Sequence, residues 1–108
     1  MILDKQFENR WFDFSLAEQM ANIGSEIGRA INWSKRDIKM SRASFERALE
    51  LLDLTIIDVK NKKRLKELLR VREMLVDYFY FDNVYQSSDE KWNNYFYAFN
   101  YAARLNRV

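Results

Sequence analysis

The sequence contains no cysteine, no histidine and no proline, and only two glycines, Gly24 and Gly28. Without histidine the chain lacks the usual neutral-pH general base. Without cysteine it lacks a thiol nucleophile, a soft metal ligand and any disulfide. Serine triads and zinc chemistry are thereby excluded, and a reducing compartment, the cytoplasm, is the expected setting. With no proline and so little glycine, nothing interrupts long helices and little supports the tight turns of a β protein. Long hydrophobic runs are missing as well: no apolar stretch approaches the roughly 18 residues that a membrane-spanning helix needs. The first ten residues include Asp4, Lys5, Glu8 and Arg10 and lack the character of a signal peptide, so a soluble intracellular protein with no membrane partner is expected. A net charge of +2 is too small to identify a nucleic-acid partner, so where the charges lie matters more than their sum.

What is present favours helix. The 108 residues are 48% hydrophobic, enough for one core, and residues 1–108 are read as a single domain. Ser15-Leu16-Ala17-Glu18 has the pattern of a capping box, in which Ser15 and Glu18 satisfy each other's backbone N–H at a helix start. Leu16, Met20, Ile23, Ile27 and Ile31 then recur with the period of one helix face, to about Trp33. Upstream, Trp11, Phe12 and Phe14 are expected to fold back over that start. A polar stretch from Ser34 to Arg42 precedes Phe45, Leu49, Leu52, Ile56 and Val59, which predict a second helix near 42–58. Asn61 is a candidate N-cap for a third helix carrying Leu65, Leu68, Leu69, Leu75, Val76 and Phe79 and ending near residues 81–83. Ser87-Ser88-Asp89-Glu90 repeats the Ser-x-x-Glu logic and opens a fourth, with Trp92, Phe96, Phe99 and Ala103 on one face. Short connections between four such helices predict an all-α, up-down antiparallel four-helix bundle.

Several features exceed what a bundle core needs. Ala17, Ala21, Gly24 and Gly28 form a second stripe of small residues on the first predicted helix, suited either to close packing within the monomer or to a subunit contact. Eleven of the 17 aromatic residues lie between Tyr78 and Tyr101. Tyr97 and Tyr101 fall off the core stripe, so they are candidates for a subunit interface or for stacking on bases. Arg72 interrupts the apolar stripe of the third predicted helix and needs a partner or a route to solvent, with Glu18 or Glu26 as candidate partners. Lys60, Lys62, Lys63, Arg64 and Lys66 crowd a helix start, where the macrodipole disfavours cations. In an up-down bundle Arg104 and Arg107 join them, and the resulting basic pole can bind a phosphate backbone or remain a solvated face. Glu46 with Glu50, and Glu73 with Asp77, could gather Mg²⁺ as in all-α nucleotide pyrophosphohydrolases, but each pair carries one residue more than the spacing those enzymes use. Solvated faces on which these carboxylates pair with Arg47 or Arg70 are the far more economical account of them.

The run Gln19 to Arg29, followed by a charged turn and by Phe45 to Leu52, resembles the ribosomal-RNA intervening-sequence family of four-helix bundles over about residues 16–80. That family includes the accessory variability proteins of diversity-generating retroelements. The Asn-x-Ala-Glu-Gly signature of many members is replaced here by Ser25-Glu26-Ile27-Gly28. The resemblance implies a homo-oligomeric ring, commonly a pentamer, whose basic surface engages RNA, DNA or a nucleic-acid enzyme such as a reverse transcriptase. It carries over no catalytic residue. The expected function is therefore a non-enzymatic binding or scaffolding bundle without cofactor or metal, the alternatives being a Mg²⁺-dependent pyrophosphohydrolase and an antitoxin-like partner of another protein.

Overall fold

Four of the five α-helices begin where a side chain satisfies N–H groups that a helix start leaves unpaired. In the computed structural model, which describes residues 4–105, the chain forms α1 (Lys5–Asp13), α2 (Leu16–Trp33), α3 (Ile38–Ile57), a 3-10 helix (Val59–Arg64), α4 (Leu65–Tyr80) and α5 (Asp89–Leu105). No strand occurs among the described residues. The capping box at Ser15 forms in both directions, with Glu18 N donating to Ser15 Oγ at 3.1 Å and Ser15 N to Glu18 Oε1 at 3.0 Å.

Besides the start of α4, three boundaries differ from the sequence expectation. An additional helix, α1, precedes the capping box: Asp4 Oδ1 accepts from Phe7 N at 2.7 Å, and the aromatic segment that was expected to fold back does so as a helix. The second expected helix starts earlier than residue 42, because Asp37 Oδ1 accepts from Lys39 N and Met40 N and so caps α3 inside the polar stretch. At the last helix the capping hydroxyl is that of Ser88, which accepts from Lys91 N at 3.1 Å, while Ser87 is buried.

α2 lies between α3 and α5, and its buried side chains Met20, Ile23, Ile27 and Ala30 are the centre of the core. Ser41 of α3 donates to the carbonyl of Ala30 at 2.7 Å, Phe45 of α3 stacks on Phe79 of α4 at 4.4 Å, and Leu52, Leu68, Leu75, Trp92 and Phe96 complete the interior. Where α2 meets α5 the approach is close: a Cβ on Gly24 would stand 2.6 Å from Phe96 Cβ. Val59, expected on the apolar face of the second helix, lies instead beyond its end and is exposed. Arg72 pairs with neither Glu18 nor Glu26. Its Nε donates to Asp53 Oδ1 at 2.6 Å on the neighbouring α3, where both side chains reach solvent and no buried charge is left. Glu18 is held in the capping box, and Glu26 pairs with Arg29 one turn along α2.

Candidate nucleic-acid interface at the basic pole

The pole is built on a buried polar node. α3 stops at Ile57, and Asp58, in extended conformation, turns the chain into the 3-10 helix by accepting from Lys60 N at 3.2 Å. Gln19, fully buried on α2, donates from Nε2 to the Trp11 carbonyl at 3.0 Å and to Asp58 Oδ2 at 2.9 Å. Its Oε1 accepts from Asn61 Nδ2 at 2.9 Å, and the same Asn61 amide donates to the Thr55 carbonyl at 3.0 Å. Trp11 Nε1 donates to Thr55 Oγ1 at 3.1 Å, which ties α1 to α3. Asn61 is therefore no N-cap. It is a buried crosslink, and α4 follows directly from the 3-10 helix with Arg64 at its cap position and no side-chain cap. Every polar group named here has a partner, as burial in a low-dielectric interior requires.

The node consumes one of the expected binding residues. Lys60 Nζ donates to the Phe12 carbonyl at 2.9 Å and forms an ion pair with Asp58. Burial by itself would raise the Asp58 carboxyl, but hydrogen bonds from Lys60 and Gln19 outweigh it and hold the group below the usual carboxylate value. Arg64 is engaged as well, with Nε donating to Glu67 Oε1 at 2.8 Å and its guanidinium 5.9 Å from the Phe99 ring. The other Glu67 oxygen accepts from Tyr95 OH at 2.7 Å. The hydrogen bond from Arg64 holds the Glu67 carboxyl low against the opposing effect of burial, while burial and the Glu67 carboxylate push the Tyr95 hydroxyl well up.

Lys62, Lys63 and Lys66 are exposed, and among the described residues none of them has an ion-pair partner. Arg104, exposed in the last turn of α5, borders a groove shared with Glu18, Asn22 and Asn100. Arg107 lies outside the described residues. Two of the expected cations are thus neutralised within the fold, and four described ones remain available.

The residues considered for a subunit contact separate into two groups. Ala21 and Gly24 face α5, with Gly24 against Phe96, so their small size serves a helix contact within the chain; Ala17 is half-buried one turn earlier. A Cβ on Gly28 would meet nothing within 4 Å. Tyr97 and Tyr101 are 60% and 54% exposed, and with Arg104 they follow the 4-and-3 spacing of one outward face of α5.

Of the four carboxylates weighed for Mg²⁺, Glu73 and Asp77 have other tasks. Asp77 accepts from Val84 N at 3.0 Å and Tyr85 N at 3.1 Å, and Glu73 accepts from Tyr85 OH at 2.6 Å, so both organise the loop that leaves α4. Among the described residues no three His, Cys, Asp or Glu side chains are grouped to hold a metal ion, and no helix is long and apolar enough to cross a membrane. Comparison of the chain with protein-family models, curated proteins and solved structures finds no match.

Proposed function

We propose that the chain is a non-enzymatic binding bundle, with its four longer helices in up-down order, that engages the phosphate backbone of nucleic acid through its basic pole. The observation that carries this reading is the set Lys62, Lys63 and Lys66 around the uncapped start of α4: three exposed cations with no ion-pair partner among the described residues, of which Lys66 lies in the first turn of α4, where the helix dipole opposes positive charge. Lys60 and Arg64 are tied into ion pairs within the fold, whereas among the described residues these three are not, and an anionic partner would offset the unfavourable field. Tyr97 and Tyr101 add a second support, since exposed rings in line with Arg104 suit stacking on unpaired bases.

A gel-shift assay with structured RNA and with duplex DNA tests the reading. Replacing Lys62, Lys63 and Lys66 together with Ser is expected to weaken binding to both by tenfold or more at low salt, with unchanged far-ultraviolet circular dichroism. Lys60→Ser is expected to lower stability instead, because it strips Asp58 and the Phe12 carbonyl of their partner. Equal affinity for the wild type and the triple variant would refute the assignment.

A further inference from the structure

α4 carries a second apolar stripe that the fold covers only in part, with Val76 half-buried against the core and Leu65 and Leu69 exposed. Leu68, Val71 and Leu75 point into the core, whereas Leu65, Leu69 and Val76, with Arg72 between them, lie along a neighbouring face that looks outward beside α3. Leu69 is 49% exposed, and the loop after α4 extends the face with Phe81 and Val84, 72% and 75% exposed; Leu69, Val76, Phe81 and Val84 border one groove. Ile57, one turn beyond Asp53 on α3, is also exposed at the Leu69 end. Ile57, Leu69, Phe81 and Val84, each about half or more exposed, make a mainly apolar patch of the kind that marks a protein contact.

We infer that this face pairs with a second copy of the same chain, α4 against α4, antiparallel about a two-fold axis at the middle of the helix. The stripe is complementary to itself in that register. Inverting α4 about its midpoint, between Arg72 and Glu73, sets Leu69 opposite Val76 of the second copy, Leu65 opposite Tyr80, and Arg72 opposite Glu73. The charges agree as well. Lys66, Arg70 and Arg72 outweigh Glu67 in the first half of the helix, and Glu73 and Asp77 make the second acidic, so inversion brings each basic half against an acidic one. A parallel pairing would place like charges together. The surface meets the lysine pole at Lys66, and the inference does not depend on phosphate binding there.

Because the chain has no cysteine, engineered thiols report the register without background. In the antiparallel register Leu69→Cys combined with Val76→Cys is expected to give a covalent dimer on mild oxidation. The two positions are about 10 Å apart along one helix, so a bond within one chain is out of reach. Leu69→Cys alone is expected to link at least tenfold less, since its counterpart in the second copy lies two turns away. Leu69→Glu, at a position half open to solvent, should keep the helical circular dichroism while halving the mass measured by light scattering. A monomeric wild type at tens of micromolar, a ring of higher order unaffected by Leu69→Glu, or equal crosslinking by the single and double cysteine variants would each overturn the inference.

Discussion

Replacing Gln19 with Met keeps the length of the side chain and removes its three hydrogen bonds. Two join neutral partners, Trp11 O at 3.0 Å and Asn61 Nδ2 at 2.9 Å, and the third reaches the Asp58 carboxylate at 2.9 Å. At about 1 kcal/mol for each neutral bond and about 2 kcal/mol for the charged one, the loss is about 4 kcal/mol, and the apolar thioether recovers about 1 kcal/mol by burial. A net cost of about 3 kcal/mol should lower the melting temperature by about 12–24 °C in a domain of this size. An exposed substitution elsewhere would stay within about 0.5 kcal/mol. Urea denaturation followed by far-ultraviolet circular dichroism measures the loss. Fluorescence of the chain's tryptophans, which include Trp11 inside the node, shows whether α1 leaves together with the rest. A cost below 1 kcal/mol would refute the claim that the Gln19 node holds the pole together.

The two glycines are expected to respond in opposite directions. Gly28→Ala, with nothing within 4 Å of the added Cβ, should stabilise α2 by about 0.5–1 kcal/mol, whereas Gly24→Ala should cost about 1–3 kcal/mol, because its methyl would stand 2.6 Å from Phe96 Cβ. Denaturation midpoints decide both. Stability should also fall at both ends of the pH scale. Asp58 has a native pKa below its unfolded value, so its contribution is present above about pH 4 and is lost as pH falls through the lower native value. Tyr78, pushed up to about 12 by burial and by its hydrogen bond to Asp89, contributes below about pH 10 and loses that contribution as pH rises toward 12. Asp58→Asn should flatten the acid limb of a stability–pH profile and Tyr78→Phe part of the alkaline one; unchanged limbs would contradict these assignments.

Periodicity made the core of α2, α4 and α5 legible, because Met20, Ile23, Ile27, Leu68, Leu75, Trp92 and Phe96 recur at helical spacing and are buried. The Ser15 capping box was readable for the same reason, since both of its hydrogen bonds are local. Long-range partners were not readable. Asn61 has the residue type of a cap, and only the fold reveals that Gln19 and Thr55 claim its amide. Gln19 directly precedes Met20 on the buried side of α2, and a polar residue in that position was the available sign of the node. Likewise the lysine cluster was visible as a run, but Lys60 and Arg64 could be separated from their neighbours only once Asp58 and Glu67 were seen beside them. Arg72 shows the same limit: its charge announced a partner, and the packing of α4 on α3 chose Asp53.

The most direct test of phosphate binding is the affinity of the unmodified chain for duplex DNA measured across a series of salt concentrations. With Lys62, Lys63, Lys66 and Arg104 each displacing a counterion, the logarithm of the association constant should fall with the logarithm of salt at a slope of about −3 to −4. A slope between 0 and −1, or no measurable binding at low salt, would contradict the account.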